Sequence, residues 1–276
     1  MTRYVTVAEV RAACGITTKF ISDSDMEQLI NSAEYEIERK LNTSFTPTTL
    51  IEQHEGDGSE RLVLRRNPLL KVRSLKIDDT DITIAYTRWD KQPGVLWLTT
   101  DAETSYFKSK DTERNLVRVK YDYGWLEPTT TQTTSSAAVT AGDSKTISVA
   151  SSSGLTADDY VEVEGMDSMR EVCKISSIPD ATSIVVDNLA LPHESGSLVT
   201  KQTVPDVANR AMRVGCSLMA VARVVGQSFD EITGYGLGDM NIQKGEPYTQ
   251  WRETATQLRK DWDEVKNSIR VRPAIG

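Results

Sequence analysis

The sequence predicts an α+β protein. A helical body is formed by N- and C-terminal helices, with a short-stranded β excursion and a separate inserted small all-β module, a sandwich or barrel. Three observations predict it. Met26, Leu29, Ile30, Ala33, Ile37 and Leu41 recur at three- and four-residue steps, the period of one helix face. Far downstream, Val207, Ala208, Ala211, Met212, Gly215, Leu218, Met219, Ala222 and Val225 form a wider face of the same period. Between them the period falls to two: Val117, Val119, Tyr121 and Tyr123 alternate with Arg118, Lys120 and Asp122, as in a strand with one buried face. The expected divisions are 1–128 (N-terminal helices plus β excursion), 129–202 (the inserted module with a Thr/Ser-rich linker) and 203–276 (C-terminal helices and tail).

The elements follow in order. Thr6-x-x-Glu9 reads as a capping box opening a helix that stops near Gly15, and Ser24-x-x-Glu27 as the box of the next helix. The polar face of that second helix carries Glu27, Glu34, Glu38 and Lys40 and should be solvated. Strands are expected at Glu60–Arg66, Val72–Ile77, Ile82–Tyr86, Val95–Thr99 and Leu116–Tyr123, with turns at Asp78–Asp81 and Gln92–Gly94. Thr129–Thr134, followed by Ser135 and Ser136, reads as a linker. Short strands follow at Lys145–Ala150, Tyr160–Glu164, Arg170–Ile175, Ser183–Val186 and Leu198–Lys201, a spacing that suits a small sandwich or barrel. This segment holds ten acidic side chains against four basic ones, a net of about −6 and most of the chain's excess. Pro205 suits the start of a helix. Gly226–Pro247 reads as irregular apart from a strand at Met240–Gln243, and the last helix carries Trp251, Ala255, Leu258, Trp262, Val265 and Ile269 as a narrow seam.

Composition narrows the class. Hydrophobic residues at 38% and charged residues at 26% of 276 suit a folded soluble chain. No apolar run approaches a membrane span, and Met1–Glu9 lacks an apolar signal core, so no secretion is expected. A net charge of −8 disfavours broad electrostatic binding of nucleic acid but leaves room for a local basic patch. Cys14, Cys173 and Cys216 are odd in number and far apart, which fits free thiols in a reducing compartment.

Reactive motifs are sparse. His54 and His193 stand alone in the sequence and read as structural or surface residues. Gly234–Asp239 superficially resembles a phosphate-cradling loop, but it follows a helix and holds no lysine. Asp57, Asp78, Asp79 and Asp81 lack the twelve-residue calcium-loop pattern and read as turn residues. Trp89, Trp97 and Trp125 could stack on sugars or bases, although sheet packing is the commoner fate. No cofactor, metal or catalytic residue is expected, and the chain is not read as an enzyme. In the final helix, Leu258 and Trp262 should pack on the protein's own body, while Tyr248, Trp251 and Arg252 cluster as candidate partner anchors.

The order of these pieces resembles the head–tail connector, or adaptor, family of tailed phages. The carrying segments are the Met26–Asn42 helix, Gly56-Asp57-Gly58 before Leu62-Val63-Leu64, and Asn67-Pro68-Leu69 leading into Val72-Arg73-Ser74-Leu75. Val117–Trp125 follows, and then Val204-Pro205-Asp206-Val207-Ala208 opening a helix with Leu218 and Met219 at its middle. The resemblance covers roughly residues 1–128 and 203–270. Residues 140–200 depart from the simplest members and look like a small β module of phage structural proteins, projecting as decoration or as a contact with capsid or tail. The resemblance implies a virion protein of the neck, made in the host cytoplasm. It implies a homo-oligomeric ring, often dodecameric, beneath the portal protein. The ring extends the DNA channel without sequence-specific binding, offers a platform to a downstream neck or tail protein, and meets no membrane. It also implies portal docking by the C-terminal helix and tail, here Tyr248, Trp251, Arg252, Arg270, Val271, Arg272, Pro273 and Ile275. The competing expectation is a module protein whose inserted β segment binds a carbohydrate or surface ligand.

Overall fold

A computed structural model describes residues 4–41, 43–56, 58–84, 87–91, 94–98, 107, 116–165, 169–225 and 247–270. The protein is mostly β. Among the described residues, strands make up 41% in three antiparallel sheets, and four helices account for 30%. This corrects the expected α+β architecture of a helical body with β excursions. The helical periods stand out in the sequence, and the strands at Thr48–Glu55, Thr87–Asp90 and the threonine-rich Glu127–Thr134 add β structure that it does not announce.

The helices are α1 (Val7–Cys14), α2 (Asp23–Leu41), α3 (Asp206–Val225) and α4 (Pro247–Arg270). The described residues within 4–41, 205–225 and 247–270 cluster as one compact unit. Thr6 caps α1 in a complete capping box with Glu9, and Gly15 ends it at φ 70°, a left-handed conformation that glycine adopts without strain. The second cap is Ser22 rather than Ser24: its Oγ lies 3.1 Å from the Asp25 amide and donates to the Asp25 carboxylate at 2.6 Å. Met26, Ile30, Ala33 and Ile37 of α2 are buried as its period requires. Glu34 is buried too, against expectation, because its carboxylate accepts the Tyr4 amide at 2.9 Å and the Val5 amide at 3.3 Å. On α3, Gly215 allows a close approach: a Cβ there would stand 2.4 Å from Ile37 Cδ1 of α2 and 3.0 Å from Trp262 Cζ3 of α4.

The strands lie in a second unit, residues 43–204. A four-stranded sheet has the order β1-β7-β3-β4, from β1 (Thr48–Glu55), β7 (Leu116–Tyr123), β3 (Leu69–Ile77) and β4 (Thr80–Ile82). A three-stranded sheet has the order β2-β6-β5, from β2 (Arg61–Val63), β6 (Val95–Leu98) and β5 (Thr87–Asp90). β1 and β5 are not among the expected strands, and β4 occupies part of the expected Asp78–Asp81 turn, which tightens to Asp78 and Asp79, both at positive φ. Val72, Leu75, Val117, Val119 and Tyr121 of the first sheet share one core with Leu62, Leu96 and Leu98 of the second.

Residues 127–203 supply six strands in the order β8-β13-β10-β11-β12-β9: β8 (Glu127–Thr134), β9 (Gly142–Ser148), β10 (Tyr160–Glu164), β11 (Arg170–Asp180), β12 (Ser183–Leu189) and β13 (Leu198–Thr203). A bridge between Ser135 and Val149 joins the two outer strands at one end, closing the sheet toward a barrel. Its interior holds Ile147, Val149, Val161, Val163, Ile175, Ile184, Val186 and Val199. The expected Thr-rich linker is β8. Threonine is β-branched and suits a pleated strand, and β8 alternates between half-buried and exposed positions along its whole length. Glu127 and Thr203 are paired at the ends of β8 and β13, so the chain enters and leaves these six strands at one place. The six strands are not a separate body: Leu70 of β3, Leu126 and Val172 of β11 form a small shared core, with Tyr160 and Val204 against it.

Candidate functional site

Three polar constellations are built within the second unit. The first begins at Lys71, which is fully buried although it lies on β3. Its Nζ donates to the Asn188 carbonyl at 2.8 Å and lies 3.6 Å from Cys173 Sγ. Beside it, the buried Glu171 carboxylate accepts the Ala190 and Leu191 amides at 2.8 and 2.9 Å, and His193 Nε2 lies 2.9 Å from its Oε1. Burial of charge is tolerated when every charged atom is hydrogen-bonded, and this cluster meets that condition. Burial pushes the Cys173 thiol well above its ordinary range, and the neighbouring Glu171 charge adds to this. A thiol in such surroundings is a packing group, not a nucleophile. The burial of Cys14 and Cys216 raises their thiols as well.

The second constellation lies between β1 and β7. Tyr121 donates its hydroxyl to Glu52 Oε1, and Glu52 Oε2 meets His54 Nε2 at 2.8 Å and the Arg65 amide at 3.2 Å. Burial, then the bond to Glu52, raises the Tyr121 phenol far above its ordinary value. Both histidines are therefore oriented by carboxylates inside folded structure. Among the described residues, no group of three or more His, Cys, Asp and Glu side chains is placed to hold a metal ion.

The third is on the surface of the three-stranded sheet. Arg61 on β2 and Arg88 on β5 both pair with Trp97 on β6, so the three side chains share one face in a row. The Arg61 guanidinium sits 4.8 Å from the Trp97 ring centroid, a cation–π distance. Val63 on the same face is 65% exposed, and the alternation along β2 continues to an exposed Arg65. Trp89 faces the core and Trp125 is buried 5.9 Å from Phe45, so of these three tryptophans only Trp97 belongs to an outer face. The sequence displays these residues but not the register that aligns them.

In the helical unit, a shallow depression of about 660 Å³ is lined by Val7, Ala8, Arg11, Thr18, Asp23, Ser24 and Glu27. Its cation is already engaged: Arg11 donates to the Ile16 and Ile21 carbonyls at 3.0 and 2.8 Å and to Asp23 at 2.7 Å.

The expected docking residues divide. Tyr248, Trp251, Arg252 and Arg270 lie on α4, with side chains outside what is described. Val271, Arg272, Pro273 and Ile275 lie outside the described residues, as do Asp57, Gly234–Asp239 and the strand expected at Met240–Gln243. Ala255, Leu258, Trp262 and Val265 of α4 are buried, so the middle of the seam is used in the protein's own packing. No protein-family model matches this chain, and no curated protein sequence is significantly similar to it.

Proposed function

We propose that this chain is a head–tail connector of a tailed phage, a ring component that sits beneath the portal, extends the DNA channel and receives the next neck or tail protein. One observation carries the reading. Several of the segments that bear the resemblance lie far apart in the sequence yet meet in the fold. Asn67-Pro68-Leu69 and Val72–Leu75 lead along β3, which pairs in antiparallel register with Val117–Tyr123 of β7. The following Gly124-Trp125 returns to the chain just after α2, with the Trp125 amide donating to the Ser44 carbonyl at 2.7 Å. Pro205 precedes α3, which packs on α2. Two of these carrying segments, in β3 and β7, are thus direct strand partners, and two others, in α2 and α3, pack together.

A ring of identical subunits needs heterologous side-to-side contacts that close on rotation. The acidic net charge of −8 suits a channel through which DNA slides. The test is electron microscopy of the full chain mixed with the portal protein of the same virus. A closed ring of this chain on the portal is expected, and deleting Arg270–Gly276 should abolish attachment while leaving the protein soluble. Failure of the full chain to bind the portal, with glycan binding by the full chain instead, would replace this reading with that of a ligand-binding module.

A further inference from the structure

We infer that the outer face of the three-stranded sheet, centred on Arg61, Trp97 and Arg88, is a contact for the phosphate backbone of duplex DNA. The inference rests on the connector reading, which brings DNA past this chain, and it adds a place where the chain touches it. Adjacent strands are about 4.8 Å apart, so Arg61 and Arg88, one strand to either side of Trp97, stand on backbones roughly 10 Å apart. Arg65, exposed two residues beyond Val63, is a third cation near this strand in the chain. Among the described residues none of these three arginines forms an ion pair. Asp90, opposite Val95, is the one carboxylate on the paired positions of the face. A guanidinium presents a fork of donors that matches phosphate oxygens and is weakly hydrated. Trp97 holds the Arg61 guanidinium at 4.8 Å, which orders that cation before any ligand arrives.

The face could instead meet an acidic protein. A stable protein interface centres on a sizeable apolar patch ringed by polar groups. Here Val63 is the only exposed large hydrophobic residue on these three strands, whereas phosphate binding requires only the cations. The net charge of −8 keeps such contacts few and weak, which is compatible with a strand that must move.

The test is fluorescence anisotropy of a labelled duplex with the full chain, titrated from 20 to 200 mM salt, comparing wild type with R61Q/R65Q/R88Q and with the charge-preserving R61K/R65K/R88K. These side chains are exposed, so the folds should match by circular dichroism. The glutamine variant is expected to bind at least tenfold more weakly at low salt. The slope of its log K against log salt should fall by about 0.9 for each phosphate that is no longer neutralised, and the lysine variant should keep most of the binding. Equal affinity and slope in wild type and glutamine variant would overturn the inference, as would no binding of wild type at the lowest salt. Capture of poly-glutamate but not DNA, abolished in the same variant, would overturn it in favour of an acidic protein. Should rings form on the portal while the glutamine variant binds DNA like wild type, this inference falls alone. Should no ring form while DNA binding follows the arginines, the phosphate site stands and the connector reading falls.

Discussion

Lys71 of β3 and Asn188 at the end of β12 tie the four-stranded sheet to the six-stranded one through a single buried ammonium, 2.8 Å from the Asn188 carbonyl. Lys91 repeats the theme with a 2.5 Å contact to Glu162 of β10, as does Arg73, which pairs with Asp122 at 2.7 Å and approaches Asp187 of β12 at 3.7 Å. The acidic excess of the barrel segment is therefore partly met by cations from strands and turns upstream. That is a physical reason for the sharp change in charge along the sequence.

Replacing Lys71 removes a buried cation and leaves the Glu171 charge without it. The Asn188 carbonyl keeps the Cys173 thiol at 3.0 Å as a weak donor. Lys71→Ala should therefore destabilise by about 3 kcal/mol, the usual cost of breaking a buried hydrogen-bonded charge. Lys71→Met, which retains the apolar stem, should lose less. Urea midpoints of the two variants check this, and a Lys71→Ala protein as stable as wild type would refute the role given to the ammonium.

Glu34 makes a second prediction. Its carboxylate accepts the Tyr4 and Val5 amides and fastens the segment before α1 to α2. Glu34→Leu keeps the bulk but offers no acceptor, and a buried amide left unpaired costs about 1–3 kcal/mol. Hydrogen exchange at Tyr4 and Val5 should accelerate at least tenfold. Protection at wild-type levels would mean that other interactions hold the segment.

These two residues also show what the sequence conceals. The heptad-like spacing of α2 announces its buried face, and Val117–Tyr123 announces a strand, because period alone decides both. Lys71 and Glu34 are charged, and charge is read as solvent exposure unless a partner is known. Their partners lie 117 and 30 residues away, in register that no local pattern encodes. β8 is hidden for a different reason: threonine and serine serve linkers and strands alike, and only pairing with β13 decides between them. The Arg61–Trp97–Arg88 row is likewise a product of register, whereas the docking residues proposed at the C-terminus rest on resemblance and composition.

Gly215 gives a third prediction. Glycine weakens a helix interior by roughly 1 kcal/mol relative to alanine, so its presence in α3 needs a packing reason. Ile37 and Trp262 supply it by approaching to within 2.4 and 3.0 Å of where a Cβ would stand. A methyl group could be accommodated by rotation of the Ile37 tip. Gly215→Ala should be within about 1 kcal/mol of neutral, because the better helix propensity offsets the tighter packing. Gly215→Leu cannot be accommodated this way and should cost about 2–3 kcal/mol through overpacking. Thermal melts of the pair separate the two effects, and equal melting temperatures for Ala and Leu would show that the three helices part easily.

Tyr121 predicts how stability depends on pH. The side chain is fully buried, and burial followed by its bond to Glu52 raises the phenol far above the ordinary value of 10.0. The group therefore keeps its proton in the folded state after the unfolded chain has released it. Its contribution is complete below the unfolded value of about 10 and is lost as pH rises from there toward the folded value, by about 1.4 kcal/mol for each pH unit. Tyr121→Phe removes this loss. At neutral pH it should be less stable by about 1 kcal/mol, because Glu52 forfeits a donor while His54 and the Arg65 amide remain. Urea unfolding of both proteins between pH 8 and 11 tests the sign. Other tyrosines affect the two alike, so the wild-type advantage should shrink above pH ~10 and then reverse. Curves that stay parallel through this window would show that Tyr121 ionises in the folded protein as readily as in the unfolded chain.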